Sequence, residues 1–112
     1  MQGREVFGFA TRIVPESVRR VLAQASLRPD EVNLLIPHQA NVRIIDTVAR
    51  KLGLSADKTY VNVERFGNTS AASVPLALCD ALDEGRIASG DTLVLAGFGA
   101  GLSWAAAVWR WQ

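Results

Sequence analysis

A chain of 112 residues has room for one domain and one core. Twelve basic against eleven acidic residues leave a net charge of +1, which gives no general attraction to nucleic acid or to a membrane surface. The single cysteine excludes an internal disulfide and a cysteine-built metal site; with no apolar run long enough for a helical span and no signal peptide at the start, a reducing, cytoplasmic setting is expected.

In chain order, Glu5 to Ala10 is compatible with a strand or with a helix start. From Pro15 to about Ser26, apolar residues Val14, Val18, Val21, Leu22 and Ala25 fall at helical spacing, with Arg19 and Arg20 turned outward. Pro15 suits a first helical turn, where a missing N–H costs nothing. Val32 to Ile36, stopped by Pro37, reads as a strand buried on both faces. A helix from about Asn41 to Leu52 follows, with Ile45, Val48, Ala49 and Leu52 inward and Gly53 as its C-terminal cap. Thr59 to Val63 reads as a strand, and roughly Ser70 to Leu82 as a third helix with a Val74, Leu78, Leu82 stripe and a bend or a late start at Pro75. Thr92 to Ala96 and Ser103 to Trp111 complete the set, the last strand antiparallel after a glycine turn. The order helix, β-α-β-α-β-β predicts an α/β fold, a mixed and mostly parallel sheet covered by helices. Apolar side chains make up 49% of the chain, which either an alanine-rich helical interior or, the favoured reading, a surface that packs against a partner half or a second subunit would explain.

Three short motifs sit where predicted strands end: Pro37-His38-Gln39-Ala40-Asn41, Gly67-Asn68-Thr69-Ser70-Ala71-Ala72-Ser73 and Gly97-Phe98-Gly99-Ala100-Gly101. Ligands of parallel α/β sheets bind at that edge. His38 precedes a helix, whose positive end disfavours an imidazolium, so its ring is expected to be a neutral donor. Asn68 can be a helix cap or turn residue; paired with His38, its amide makes a second neutral donor to one developing oxyanion. Such a pair suits an enolate, such as the one left when a malonyl thioester loses carbon dioxide. The glycine turn is no dinucleotide fingerprint, because a strand follows it and no acidic residue stands about twenty positions on. It can be a tight hairpin, a presenter of backbone N–H groups, or both. Arg43, Thr47, Arg50 and Lys51 share one helix face, either a solvated stripe with Asp46 pairing to Arg50 or a surface for an acidic or phosphate-bearing partner. Cys79, inside the third helix, is read as a packing residue.

These motifs resemble the C-terminal half of the β-ketoacyl-acyl carrier protein synthase III family, within the thiolase-like superfamily. The resemblance runs from Gly3-Arg4-Glu5-Val6-Phe7 to Trp109-Arg110-Trp111, and the His-Gln-Ala-Asn and Gly-Asn-Thr-Ser-Ala-Ala-Ser segments carry it. It implies residues 1–112 as a C-terminal domain, and a Cys-His-Asn site in the complete enzyme, which condenses an acyl-coenzyme A primer with malonyl-acyl carrier protein in the initiation of fatty acid synthesis. His38 and Asn68 match the family's catalytic histidine and asparagine. Gln39, Ala40, Asn41, Val42 and Arg43, with Arg50 and Lys51, match its carrier-protein contacts; Phe7, Phe98, Gly99 and Ala100 match its acyl pocket. The family implies no cofactor and no metal, acyl carrier protein as partner, and a homodimer. Its nucleophilic cysteine belongs to the N-terminal half, and Cys79 does not match it. The chain is therefore expected to need that half or a companion chain, and to be inactive alone. The competing reading is a non-catalytic module that binds carrier protein or coenzyme A.

Overall fold

The computed structural model describes residues 3–39, 41–63, 73–99 and 103–112. A long helix, α1 (Gly3–Gln24), opens the chain and absorbs the ambiguous opening stretch. Pro15 thus lies in the helix interior, not in its first turn. There it leaves the Thr11 carbonyl without its usual i+4 donor. The Lys51 ammonium takes the vacant place, donating to Thr11 O at 2.8 Å. Arg19 donates in turn to the Lys51 carbonyl at 2.5 Å. A side chain from a second helix therefore repairs the defect and ties the two helices together.

Strand β1 (Leu34–Pro37) is buried at every position, as an apolar run inside a parallel pair should be. Helix α2 (Val42–Leu52) begins at Asn41, whose side chain accepts from Ile44 N at 2.9 Å, and stops at Gly53, where φ is 73°. Helix α3 (Ser73–Asp83) precedes strands β2 (Thr92–Gly99) and β3 (Ser103–Arg110). The sheet order is β1-β2-β3, with β1 and β2 parallel and β2 and β3 antiparallel. The sheet is mixed as expected, with one parallel and one antiparallel pairing among the described strands.

Alternation along the strands divides the interior in two. Leu35, Val94 and Ala96 meet Ala10, Val14, Val18, Leu22 and Val48 of α1 and α2. Leu34, Ile36 and Leu93 face the other way, onto Tyr60 and the Ala77 and Ala81 of α3. Helices thus cover both faces of the β1–β2 pair. The expected stripe on the third helix is displaced. Its fully buried residues are Ser73, Ala77 and Ala81, while Val74 and Leu78 flank that seam. Small side chains at i, i+4 and i+8 let α3 lie close to the sheet, and larger ones seal the sides.

Two other expectations are corrected. Thr59 to Val63 is not a strand; its ladder is one bridge, Leu35 to Thr59, extended by Tyr60 N–H donating to Leu35 O at 2.9 Å. Cys79 is exposed and packs no core. Apolar surface is also left on view, with Trp104, Trp109 and Leu76 each 44–49% exposed. No described helix is long and apolar enough to cross a membrane.

Candidate active site

β1 ends at Pro37 and its ladder runs one residue further, because His38 N–H donates to Ala96 O at 2.7 Å. The imidazole is thereby delivered at the carboxyl edge of the parallel pair, half-buried. Its Nδ1 lies 2.6 Å from the hydroxyl oxygen of Ser73, the first described residue of α3. Phe98, near the end of β2, sets its ring at 75° to the imidazole with centroids 4.8 Å apart. Phe98 is itself buttressed edge-on by Phe9 of α1, which also meets Trp104. One imidazole is therefore held by a backbone bond and an aromatic wall from β2 and by a hydroxyl from α3. Burial holds its pKa below the ordinary value of 6.5, so the ring is neutral at pH 7. Partial desolvation is the cause that emerges here, where the sequence suggested the positive end of α2.

The next residue does different work. Gln39 is 1% exposed, and both ends of its carboxamide are engaged. Its Nε2 donates to Pro37 O at 2.9 Å and to Tyr60 O at 3.1 Å; its Oε1 accepts from Asn62 N at 2.8 Å and Val63 N at 3.2 Å. Gln39 thus takes up backbone groups of residues 60–63 that strand pairing would otherwise use. That is the physical reason the segment is no strand. Further out, the Tyr60 hydroxyl lies between Asp80 on α3 (2.6 Å) and Glu84 just past its end (2.7 Å), and Arg86 lies over its ring. Burial, and then the two carboxylates, raise the Tyr60 pKa well above that of free tyrosine. Both contacts tie the loop that follows α2 to the helix that carries Ser73.

At the rim, Arg43 projects from the first turn of α2, with its guanidinium 5.3 Å from the centre of the Phe7 ring. Arg50 lies further along α2, where Asp46, Arg50, Leu54, Thr59 and Val61 line a separate cavity of about 350 Å³. Asp46 and Arg50 form no ion pair; those among the described residues join Arg28 to Asp30 and Glu31.

At the carboxyl edge of β1, His38 is met by Ser73 at the start of α3 and by Phe98 near the end of β2. Residues 22–111 match the family described as 3-oxoacyl-[acyl-carrier-protein (ACP)] synthase III C terminal. The chain belongs to this family. The β-ketoacyl-[acyl-carrier-protein] synthase III of Staphylococcus haemolyticus is 52% identical to it over 111 residues, which are 99% of this chain and 36% of that protein. Crystal structures of the synthase III proteins of Thermus thermophilus and Aquifex aeolicus superpose with TM-scores of 0.96 and 0.97, at 52% and 48% identity. They are matched over 100% and 99% of this chain and 35% and 36% of their own. The chain spans about a third of the length of the synthase III relatives it matches.

Of the synthase III positions expected here, His38 and Phe98 come together at one edge, and Phe7 reaches Arg43 beside it. Asn68, Ala40 and Ala100 lie outside the described residues, and Gly99 is described only as the last residue of β2. Of the expected carrier-protein contacts, Arg43 and Arg50 are exposed on α2 and Val42 is half-buried. Asn41 spends its side-chain oxygen on the helix cap, and the Lys51 ammonium is bonded to α1. Gln39 is a correction. Its carboxamide is buried and bonded at both ends, so it braces the fold and presents nothing to a carrier protein. Sequence reasoning missed Ser73 as a partner of His38; the available signal was one hydroxyl closing a run of alanines at a helix start. It also missed Phe9, whose position two residues after Phe7 carried no helical signal by itself. Among the described residues no cluster of three His, Cys, Asp or Glu side chains could hold a metal ion.

Proposed function

We propose that this chain supplies the decarboxylation half of a synthase III active site, in which His38 and Asn68 stabilise the enolate formed when malonyl-acyl carrier protein loses carbon dioxide. The observation that carries the reading is His38 itself. It is a neutral, half-buried imidazole held at the carboxyl edge of a parallel pair, with Nδ1 engaged by Ser73 and, among the described residues, no hydrogen bond at Nε2. A neutral ring whose proton sits on Nε2 is a good hydrogen-bond donor to an oxygen that becomes anionic. Desolvation strengthens such a bond.

The acyl primer, carried as a coenzyme A thioester, would be held by a nucleophile outside this chain. No cofactor is needed for this chemistry. The exposed Trp109 and Leu76 would pack against the remainder of the fold, and the enzyme would work as a dimer. Arg43 and Arg50, on the outer side of α2, would meet the acidic carrier protein, with Arg43 held over the Phe7 ring.

The test is to join the chain to the N-terminal part of the protein, or to that of the Staphylococcus haemolyticus relative, and to measure carbon dioxide release from malonyl-acyl carrier protein. His38→Ala should lower the rate by about a hundredfold or more, the loss typical of removing one oxyanion donor. Decarboxylation undiminished in that variant would refute the proposal.

A further inference from the structure

We infer that Ser73 is a positioning residue that fixes the tautomer of His38, its hydroxyl donating to Nδ1 so that the ring proton resides on Nε2. This inference deepens the proposed function and rests on it for its consequence, though not for its test.

The hydrogens around the Ser73 hydroxyl oxygen decide the tautomer. Ser73 is 1% exposed, and its Oγ lies 2.6 Å from His38 Nδ1 and 3.3 Å from Gln39 N. The Gln39 N–H can only donate, so it occupies a lone pair of Oγ. The hydroxyl has one hydrogen to place. Given to Nδ1, it satisfies every group: Oγ accepts once and donates once, Nδ1 accepts, and the imidazole hydrogen moves to Nε2. In the opposite arrangement Nδ1–H donates to Oγ. The oxygen then accepts twice, and its own hydrogen is left in a buried place where, among the described residues, it has no other partner. A buried donor left unmade is the costlier state.

The surroundings keep the pair in register. His38 is pinned through its backbone to Ala96 O, and Phe98 fixes the ring plane. Gln39, whose N–H completes the count, is itself immobilised by four side-chain bonds. Ser73 starts the buried Ser73–Ala77–Ala81 seam, so α3 cannot move from the sheet without parting the hydroxyl from the ring. A neutral histidine with its proton on Nδ1 would offer Nε2 as a lone pair and repel an enolate oxygen. The serine thus decides whether the ring is a donor or an acceptor towards substrate.

His38 is the only histidine of the chain, so both ring signals belong to it, and Nδ1 and Nε2 are told apart by their different couplings to the Hε1 and Hδ2 ring protons. Histidine-labelled chain carrying ¹⁵N in the ring, observed above the titration of the imidazole, should show a pyridine-type Nδ1 and a pyrrole-type Nε2, in a ratio of roughly ten to one or more. In Ser73→Ala both nitrogens should move towards the averaged position of mixed tautomers. Ser73→Thr, which keeps the hydroxyl, should retain the original pattern. A residue that merely packed there would leave the ring spectrum unchanged in folded Ser73→Ala, and that result overturns the inference. So does a pyrrole-type Nδ1 in the unsubstituted chain, a reading that needs no variant to fold. The spectrum involves no substrate, so failure here and undiminished decarboxylation in His38→Ala are separate outcomes.

Discussion

Replacing Gln39 by glutamate changes the shape of the side chain hardly at all and reverses half of its hydrogen bonding. The two bonds accepted from Asn62 N and Val63 N survive; the two donated to Pro37 O and Tyr60 O become oxygen facing oxygen. Each lost bond removes about 1 kcal/mol, and leaving each buried carbonyl without a donor adds about 1 kcal/mol or more. An unpaired carboxylate in that place is disfavoured further. A loss of about 3–5 kcal/mol at pH 7 follows, a large share of the total for a domain of this size. The introduced carboxyl should have a folded-state pKa raised above the ordinary glutamate value of about 4.3. The folded state then binds more protons than the unfolded one, so the deficit relative to the unsubstituted chain is smallest below about pH 4.3 and grows as pH rises through the raised pKa. Urea denaturation of both proteins at several pH values measures the difference directly. A loss below about 1 kcal/mol at pH 7, or one independent of pH, would refute the brace and return Gln39 to the surface role its motif suggested.

Lys51→Met should destabilise the chain by about 1–2 kcal/mol, since it removes a charged donor from a helix carbonyl that Pro15 cannot serve. In Pro15→Ala, which restores the missing N–H, the same substitution should cost less than about 0.5 kcal/mol, and additive losses in the double-mutant cycle would show that the repair is not real. His38, whose pKa is lowered by burial, should stay neutral at pH values where a free imidazole is half protonated. Its unfolded form binds the proton first, so its contribution to stability is complete above about pH 6.5 and is lost as pH falls through the folded pKa; His38→Gln should flatten that dependence in denaturation curves. Tyr60, the only tyrosine, should resist ionisation beyond pH 10, and stability should decline as pH rises past that value. Phenolate absorbance appearing at the ordinary pH in the folded chain would contradict its burial against Asp80 and Glu84.

Local spacing determined the helix at 42–52 together with its buried face, because Ile45, Val48, Ala49 and Leu52 form one apolar stripe. It also marked the third helix, the buried strand before Pro37 and the antiparallel close, but not the face that the third helix buries, which is a seam of small residues. Residue type and position together also put His38 and Phe98 at strand ends, where a parallel sheet gathers its ligands. Tertiary structure decided what spacing could not record. Pro15 became an interior residue because Lys51, 36 positions later, supplies the missing donor. Residues 59–63 look like a strand by composition, yet a buried glutamine claims their backbone groups. Gln39 and Ser73 have side chains that fit a surface or a cap equally well. Their roles were set by which distant groups the fold brought within 3.3 Å, and hydrogen bonds across 34 residues leave no periodic trace in a sequence.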